Sequence, residues 1–250
     1  MHPILFRIGS FEIHSFGVMM ALAWLAASRY LDGRFRSAGW PRDAVADLVL
    51  WSLIGALVGA RILYLIVEFP SWMDDVAGAI FSRSGFVFYG GFFGGTAGGA
   101  WAVRRRDLPA RAVADAVAPA LALGLFIGRI GCFLAGDDYG KPSNVPWAVR
   151  FSDPDALAPL GIALHPTQLY LSLNGLALFG ILHAASKRER FAGRIFCLFL
   201  MLYAVTRFVI EFFRGDPRGM FGPFSTSQWI GILVLPVAIW LYRRWSLSDK

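Results

Sequence analysis

The chain has 250 residues, of which 56% are hydrophobic and only 16% charged, with a mean hydropathy of +0.54 and a formal net charge of +7. A water-soluble domain carries about 25% charged residues, so this balance excludes one and points to a membrane protein. The net positive charge would suit a nucleic-acid partner if the basic residues formed one patch, and their placement along the chain excludes that reading.

The first apolar run covers about residues 15–31 and follows MHPILFRIGSFEIHS, which lacks the strongly basic start of a cleaved leader. Further runs at about 46–67, 86–103, 113–135, 167–185, 195–213 and 226–242 each approach the roughly 20 residues that a span requires. The expected fold is an all-α membrane protein of seven transmembrane helices, forming a single domain over residues 1–250.

Basic residues cluster after alternate runs. Arg29, Arg34, Arg36 and Arg42 follow the first, and Arg104, Arg105, Arg106 and Arg111 the third. Lys187, Arg188, Arg190 and Arg194 follow the fifth, and Arg243, Arg244 and Lys250 the seventh. The opposite face keeps Arg7, Arg83, Lys141, Arg150, Arg214 and Arg218. Cytoplasmic loops carry the excess of Lys and Arg, so the amino terminus is expected outside and the carboxyl terminus in the cytoplasm. The clusters are topology signals, and no nucleic-acid partner is expected.

The second, fourth and sixth runs each hold one arginine, Arg61, Arg129 and Arg207. A cation in hydrocarbon costs about 2.5–3.5 kcal/mol on insertion scales. Each arginine sits late in a span that runs outwards, which places all three in the outer half of the bilayer. Snorkelling to the headgroups accounts for a single arginine. Three at similar depth point to a shared polar cavity for an anion, with an anionic lipid as the obvious candidate. GALVGARILYLI and ALGLFIGRIGCFL are also faintly alike, the trace of an internal repeat.

The third run, FVFYGGFFGGTAGGA, is notched by glycines. Small residues at every fourth position allow close helix packing, and the same notches offer room for an acyl chain. The Gly-Lys-Ser/Thr ending of a phosphate-binding loop is absent. Tyr89 lies at the outer end of this helix, level with the arginines. The segment from about 136 to 166 is the longest polar stretch and reads as a compact external cap. Its aspartates, Asp137, Asp138, Asp153 and Asp155, fit no calcium-loop spacing, so no metal is expected. Cys132 and Cys197 fall in apolar helical sequence and read as buried thiols rather than a disulfide.

In the sixth run Tyr203, Arg207 and Glu211 recur every four residues, and Arg214 returns near the azimuth of Tyr203. A carboxylate one turn from an arginine either closes on it as a self-neutralising pair or holds its fork towards a ligand.

GRIGCFLAGDDYG, residues 128–140, resembles the signature of prolipoprotein diacylglyceryl transferase, the bacterial membrane enzyme that lipidates lipoprotein precursors. IHSFG at 13–17, GARILY at 59–64, FVFYGG at 86–91, HPTQLY at 165–170 and YAVTRFVIEFFR at 203–214 resemble further family motifs in the family's order. The resemblance spans nearly the whole chain and carries the same seven-helix topology. It implies transfer of the diacylglyceryl group of phosphatidylglycerol to the thiol of a lipobox cysteine, giving a thioether and glycerol phosphate. By motif match Arg129 and Arg207 hold the phosphate, with Tyr203 and Glu211 positioning them. Arg61, Gly128, Asp137, Gly140, His165, Gln168, Tyr170 and Arg214 make up the expected substrate-binding set. The nucleophile belongs to the substrate, so the enzyme needs no cysteine of its own.

Several positions depart from the family pattern. Tyr89 stands where many members carry histidine, Phe16 where tyrosine is common, Cys132 and Ala135 where asparagines stand, and Asp137 in place of glutamate. Tyr89 is then the base or a hydrogen-bond donor to the lipid, and His165 is the second candidate for the base. One alternative is a divergent relative that binds phosphatidylglycerol and serves another acceptor, or is inactive. The other is a seven-helix transporter or receptor. Lysines confined to the loops disfavour a retinal protein, and polar residues crowding one leaflet disfavour a transporter with broken helices at the midplane. The resemblance implies no cofactor or metal. The expected partners are phosphatidylglycerol, prolipoprotein signal peptides and membrane lipids, reached by a monomer through a lateral opening to the outer leaflet of the bacterial inner membrane.

Overall fold

The computed structural model describes residues 2–9, 11–69, 72–73, 78, 85–188, 190–217 and 219–248; Arg83, Arg218 and Lys250 of the charge pattern lie outside them. Seven helices are present among the described residues: α1 (Ser15–Ser37), α2 (Asp43–Val67), α3 (Phe88–Arg105), α4 (Ala110–Ala135), α5 (Thr167–Ala185), α6 (Arg194–Glu211) and α7 (Thr226–Ser248). Of these, α2, α4, α5 and α7 are long and apolar enough to cross a membrane. Three short antiparallel ribbons, which apolar periodicity does not reveal, accompany them among the described residues: β1 (Ile4–Ile8) with β2 (Phe11–His14) ahead of α1, β3 (Val149–Arg150) with β4 (Ala163–Leu164) between α4 and α5, and β5 (Met220–Phe221) with β6 (Phe224–Ser225) between α6 and α7. The chain divides into two compact units, Met1–Tyr30 with Ala114–Lys250, and Leu31–Val113.

In the Leu31–Val113 unit, α1 runs past the apolar stretch to Ser37, so Arg34 and Arg36 are helical rather than loop residues. Both fall in the last turn, where cations suit the helix dipole. Gly39, at φ +71°, lies just beyond the helix end. The glycines of α3 are consumed by packing on α2. A Cβ added at Gly94 would meet the carbonyl carbon of Gly55 at 3.0 Å and the Cα of Gly59 at 3.0 Å, and one at Gly98 would meet the carbonyl carbon of Trp51 at 2.8 Å. The two backbones therefore touch, as small residues allow in a lipid environment. The aromatic side chains of Phe88, Phe92 and Phe93 are exposed. Arg106, just past α3, clamps the first turns of α2 by pairing with Asp43 at 2.6 Å and Asp47 at 2.5 Å.

In the other unit the core lies among α4, α5 and α6, where Ala118, Ala122, Leu178, Leu182, Ile195 and Phe199 are buried together. Ser172 on α5 donates to the carbonyl of Phe126 on α4 at 2.8 Å. Asp115 of α4 accepts from the backbone of Gly193 at 2.7 Å and of Phe196 at 2.8 Å, capping α6 from a neighbouring helix. Residues 136–166 form a folded segment with its own small core of Phe151, Ala158 and Leu164.

Candidate active site

The segment after α4 is tied to the segment after α6 by a short antiparallel ladder. Gly140 bridges Arg214, Lys141 donates to the Phe213 carbonyl at 2.8 Å, and Gly215 donates to the Tyr139 carbonyl at 3.0 Å. Gly140 also donates to the His165 carbonyl at 3.1 Å. A Cβ at Gly140 would lie 2.6 Å from that of His165 and 2.9 Å from the Phe213 carbonyl oxygen. Three stretches of backbone cross there, and only glycine fits. The helix α6 stops at Glu211, so Arg214 reaches the site from this ladder and not from the helical face expected of it.

The ladder brings Asp138 between two arginines. Its Oδ2 pairs with Arg129 Nη1 and its Oδ1 with Arg214 Nη2. Arg214 in turn grips Asp216 with Nε at 2.7 Å and Nη2 at 2.8 Å. Burial works against the Arg214 charge, but the hydrogen bonds to Asp216 and Asp138 outweigh it and raise its pKa above the ordinary arginine value. One nitrogen of Arg214, Nη1, is buried and has no hydrogen-bond partner among the described residues.

Asp138 adopts φ +59°, in the left-handed region that aspartate and asparagine tolerate better than other side-chain-bearing residues. The first turn of α5 fixes it there. Thr167 Oγ1 donates to the Asp138 carbonyl at 2.8 Å, and Gln168 Nε2 to the Asp137 carbonyl at 2.6 Å. The Asp137 carboxylate accepts the Asp138 N–H at 2.7 Å. Burial, and then the neighbouring Asp138 charge, raises the Asp137 pKa above its ordinary 3.8.

A second pair stands beside this network. Arg207 and Glu211, both buried, pair one turn apart on α6 through Nη1 and Oε2. The other Glu211 oxygen accepts from Ser225 Oγ at 2.8 Å, and the Ser225 N–H is held by Gln228 Oε1 at 3.0 Å. The closed pair is therefore also braced by Ser225 at the end of β6, which Gln228 of α7 holds. Arg129 and Arg207 lie within electrostatic range of each other and of Arg214 and Tyr203. Tyr203 stacks on Phe199, with ring centroids 5.7 Å apart. Among the described residues Arg129 and Arg207 each engage carboxylate through one nitrogen, which leaves the rest of each fork available.

The remaining expected residues fall in two places. His165 Nδ1 lies 3.0 Å from the Tyr170 hydroxyl, which also accepts from Trp147 Nε1 at 2.7 Å. Gly128 faces Met20 in ordinary contact. Arg61 and Tyr89 belong to the Leu31–Val113 unit. Arg61 donates to the Gly85 carbonyl at 3.0 Å and lies over the Phe86 ring, while Tyr89 packs edge-on against Phe88. Asp138, Asp216 and Ser225 are the polar partners that sequence reasoning did not single out. Uncompensated arginines on the motif helices were the signal that such carboxylates had to exist. No cluster of three or more histidine, cysteine or carboxylate groups suited to a metal occurs among the described residues.

The family model described as prolipoprotein diacylglyceryl transferase matches residues 3–244. The chain is 36% identical to the phosphatidylglycerol–prolipoprotein diacylglyceryl transferase of Clostridium tetani, over 97% of each chain. It is 35% identical to a second enzyme of that name from Clostridium perfringens, over 100% of this chain and 98% of the relative. The Geobacter sulfurreducens counterpart is 34% identical over 97% and 96% of the two chains.

Proposed function

The chain belongs to the prolipoprotein diacylglyceryl transferase family, and from that membership we propose that it transfers the diacylglyceryl group of phosphatidylglycerol to the lipobox cysteine of prolipoproteins. The observation that carries the reading is the group of Arg129, Arg207 and Arg214, held by carboxylates yet with guanidinium nitrogens left over.

In the reaction the lipobox sulfur forms a bond to the glycerol carbon while the bond from that carbon to the phosphate oxygen breaks. The electron pair departs on glycerol phosphate. A phosphodiester becomes a monoester and gains charge as it leaves, and fixed guanidinium donors stabilise that gain more than they stabilise the bound lipid. Arg129 and Arg207 serve this role, with Glu211 and Tyr203 setting the Arg207 fork. The thiol proton passes to a base, Tyr89 or His165. Asp137, Gly140, Gln168, Tyr170, Gly128 and Arg214 shape the substrate site, and motif match assigns Arg61 a part in lipid binding. Residues 136–166 cap it on the outer face of a seven-span monomer in the bacterial inner membrane, amino terminus outside, with lateral access for lipid and signal peptide.

The test is transfer by purified protein from phosphatidylglycerol to a lipobox peptide, read as the peptide's mass. Arg129→Ala and Arg207→Ala should each lower turnover about 100-fold or more, in protein whose thermal unfolding shows it folded. Tyr89→Phe separates the two bases. Folded wild-type protein that binds phosphatidylglycerol and adds nothing to the peptide would overturn the acceptor assignment.

A further inference from the structure

Asp138 makes an arrangement that the phosphate-holding role of Arg129 does not by itself require. It is the carboxylate partner of Arg129 among the described residues, and it also takes Arg214, which already has Asp216. The adjacent Asp137, the residue at the acidic position of the signature, turns instead to the Asp138 backbone. Asp138 pays the backbone cost of a positive φ to sit there, and Thr167 and Gln168 hold both carbonyls of the pair. Two forks are thus fixed by one carboxylate placed where a phosphate with two oxygens would also bind them.

We propose that Asp138 is a positioning residue acting as a resident counter-anion: it keeps the Arg129 and Arg214 forks aligned while the site is empty, and it repels the more highly charged glycerol phosphate once the transfer is complete. The proposal rests on the phosphate-holding role given to Arg129 above. A carboxylate in this place opposes phosphate binding and favours turnover, whereas a merely structural turn residue would do neither.

Asn and Gly both accept the φ of Asp138, so Asp138→Asn and Asp138→Gly remove the charge without straining the turn. Phosphatidylglycerol binding by native mass spectrometry, thermal unfolding, and kcat and KM for the lipobox peptide reaction are measured on full-length wild type and both variants. Each variant should bind phosphatidylglycerol as tightly as wild type or more so, show no rise in its KM, and lose about 10- to 100-fold in kcat. Adding Asp138→Asn to Arg129→Lys should cost less than it costs alone, because both act through one contact. Turnover within about threefold of wild type, or weaker lipid binding by a variant of unchanged unfolding temperature, overturns the proposal. Wild type that binds the lipid without transferring it sinks the functional assignment, while the comparison of binding still decides the role of Asp138. Wild type that does not bind phosphatidylglycerol overturns both.

Discussion

The Asp115 carboxylate accepts the backbone N–H of Phe196 at 2.8 Å, so α4 supplies the cap that the amino terminus of α6 lacks in its own sequence. Its second oxygen takes the N–H of Gly193. Asp115→Ala leaves both donors to find other partners and should lower stability by about 1–2 kcal/mol. Asp115→Asn retains one acceptor oxygen and should lose less. Thermal unfolding in detergent of the three proteins orders them, and an alanine variant as stable as wild type would show the cap to be dispensable.

At Gly140 no rearrangement of a flexible side chain can make room, because the atoms in the way include the His165 backbone and the Phe213 carbonyl. Gly140→Ala is expected to cost about 1–3 kcal/mol by overpacking and to displace Arg214 itself from the site, since the two residues bridge one another on the ladder. Phosphatidylglycerol binding and unfolding temperature should fall together. Retention of both would mean that the ladder shifts without consequence.

Asp137 gives a dependence on pH of definite sign. Its pKa in the folded protein is raised above 3.8, chiefly by burial, so the folded state favours the protonated carboxyl. The charged form costs stability, and that cost appears as pH rises from 3.8 through the folded pKa. Asp137→Asn keeps an oxygen for the Asp138 N–H and removes the charge. It should raise the unfolding temperature at neutral pH, with the gain shrinking as pH falls towards 3.8. A gain that grows on acidification would contradict the burial argument.

Gly94→Ala places a methyl group 3.0 Å from two backbone atoms of α2. The helices must part, at about 1–3 kcal/mol. Phe93→Ala, at an exposed position one residue away, should change stability by less than about 0.5 kcal/mol. Similar effects from the two changes would argue against backbone contact between α2 and α3.

The helices were legible because hydrocarbon demands long apolar runs. Their ends were less so: α1 continues through charged residues as far as Ser37, since apolar periodicity marks only the buried or lipid-facing part of a helix. The two- to five-residue strands of the ribbons carry too few alternations to be read. At the site, the α6 pair of Arg207 and Glu211 was visible from its spacing, but the brace from Ser225 comes from a different segment. The choice between Asp137 and Asp138 was hidden for a local reason. Motif matching names the first, while a positive φ turns the second towards the arginines.

The contact between α2 and α3 has a thermodynamic consequence as well as a geometric one. Where glycine backbone meets glycine backbone, as at Gly55 and Gly94 or Gly59 and Gly90, docking freezes no rotamers. Side chains that lose their freedom on burial cost up to about 2 kcal/mol each, and in lipid no hydrophobic gain is available between helices to offset that loss. The modest attraction of close-packed backbone is therefore retained almost in full along the glycine seam.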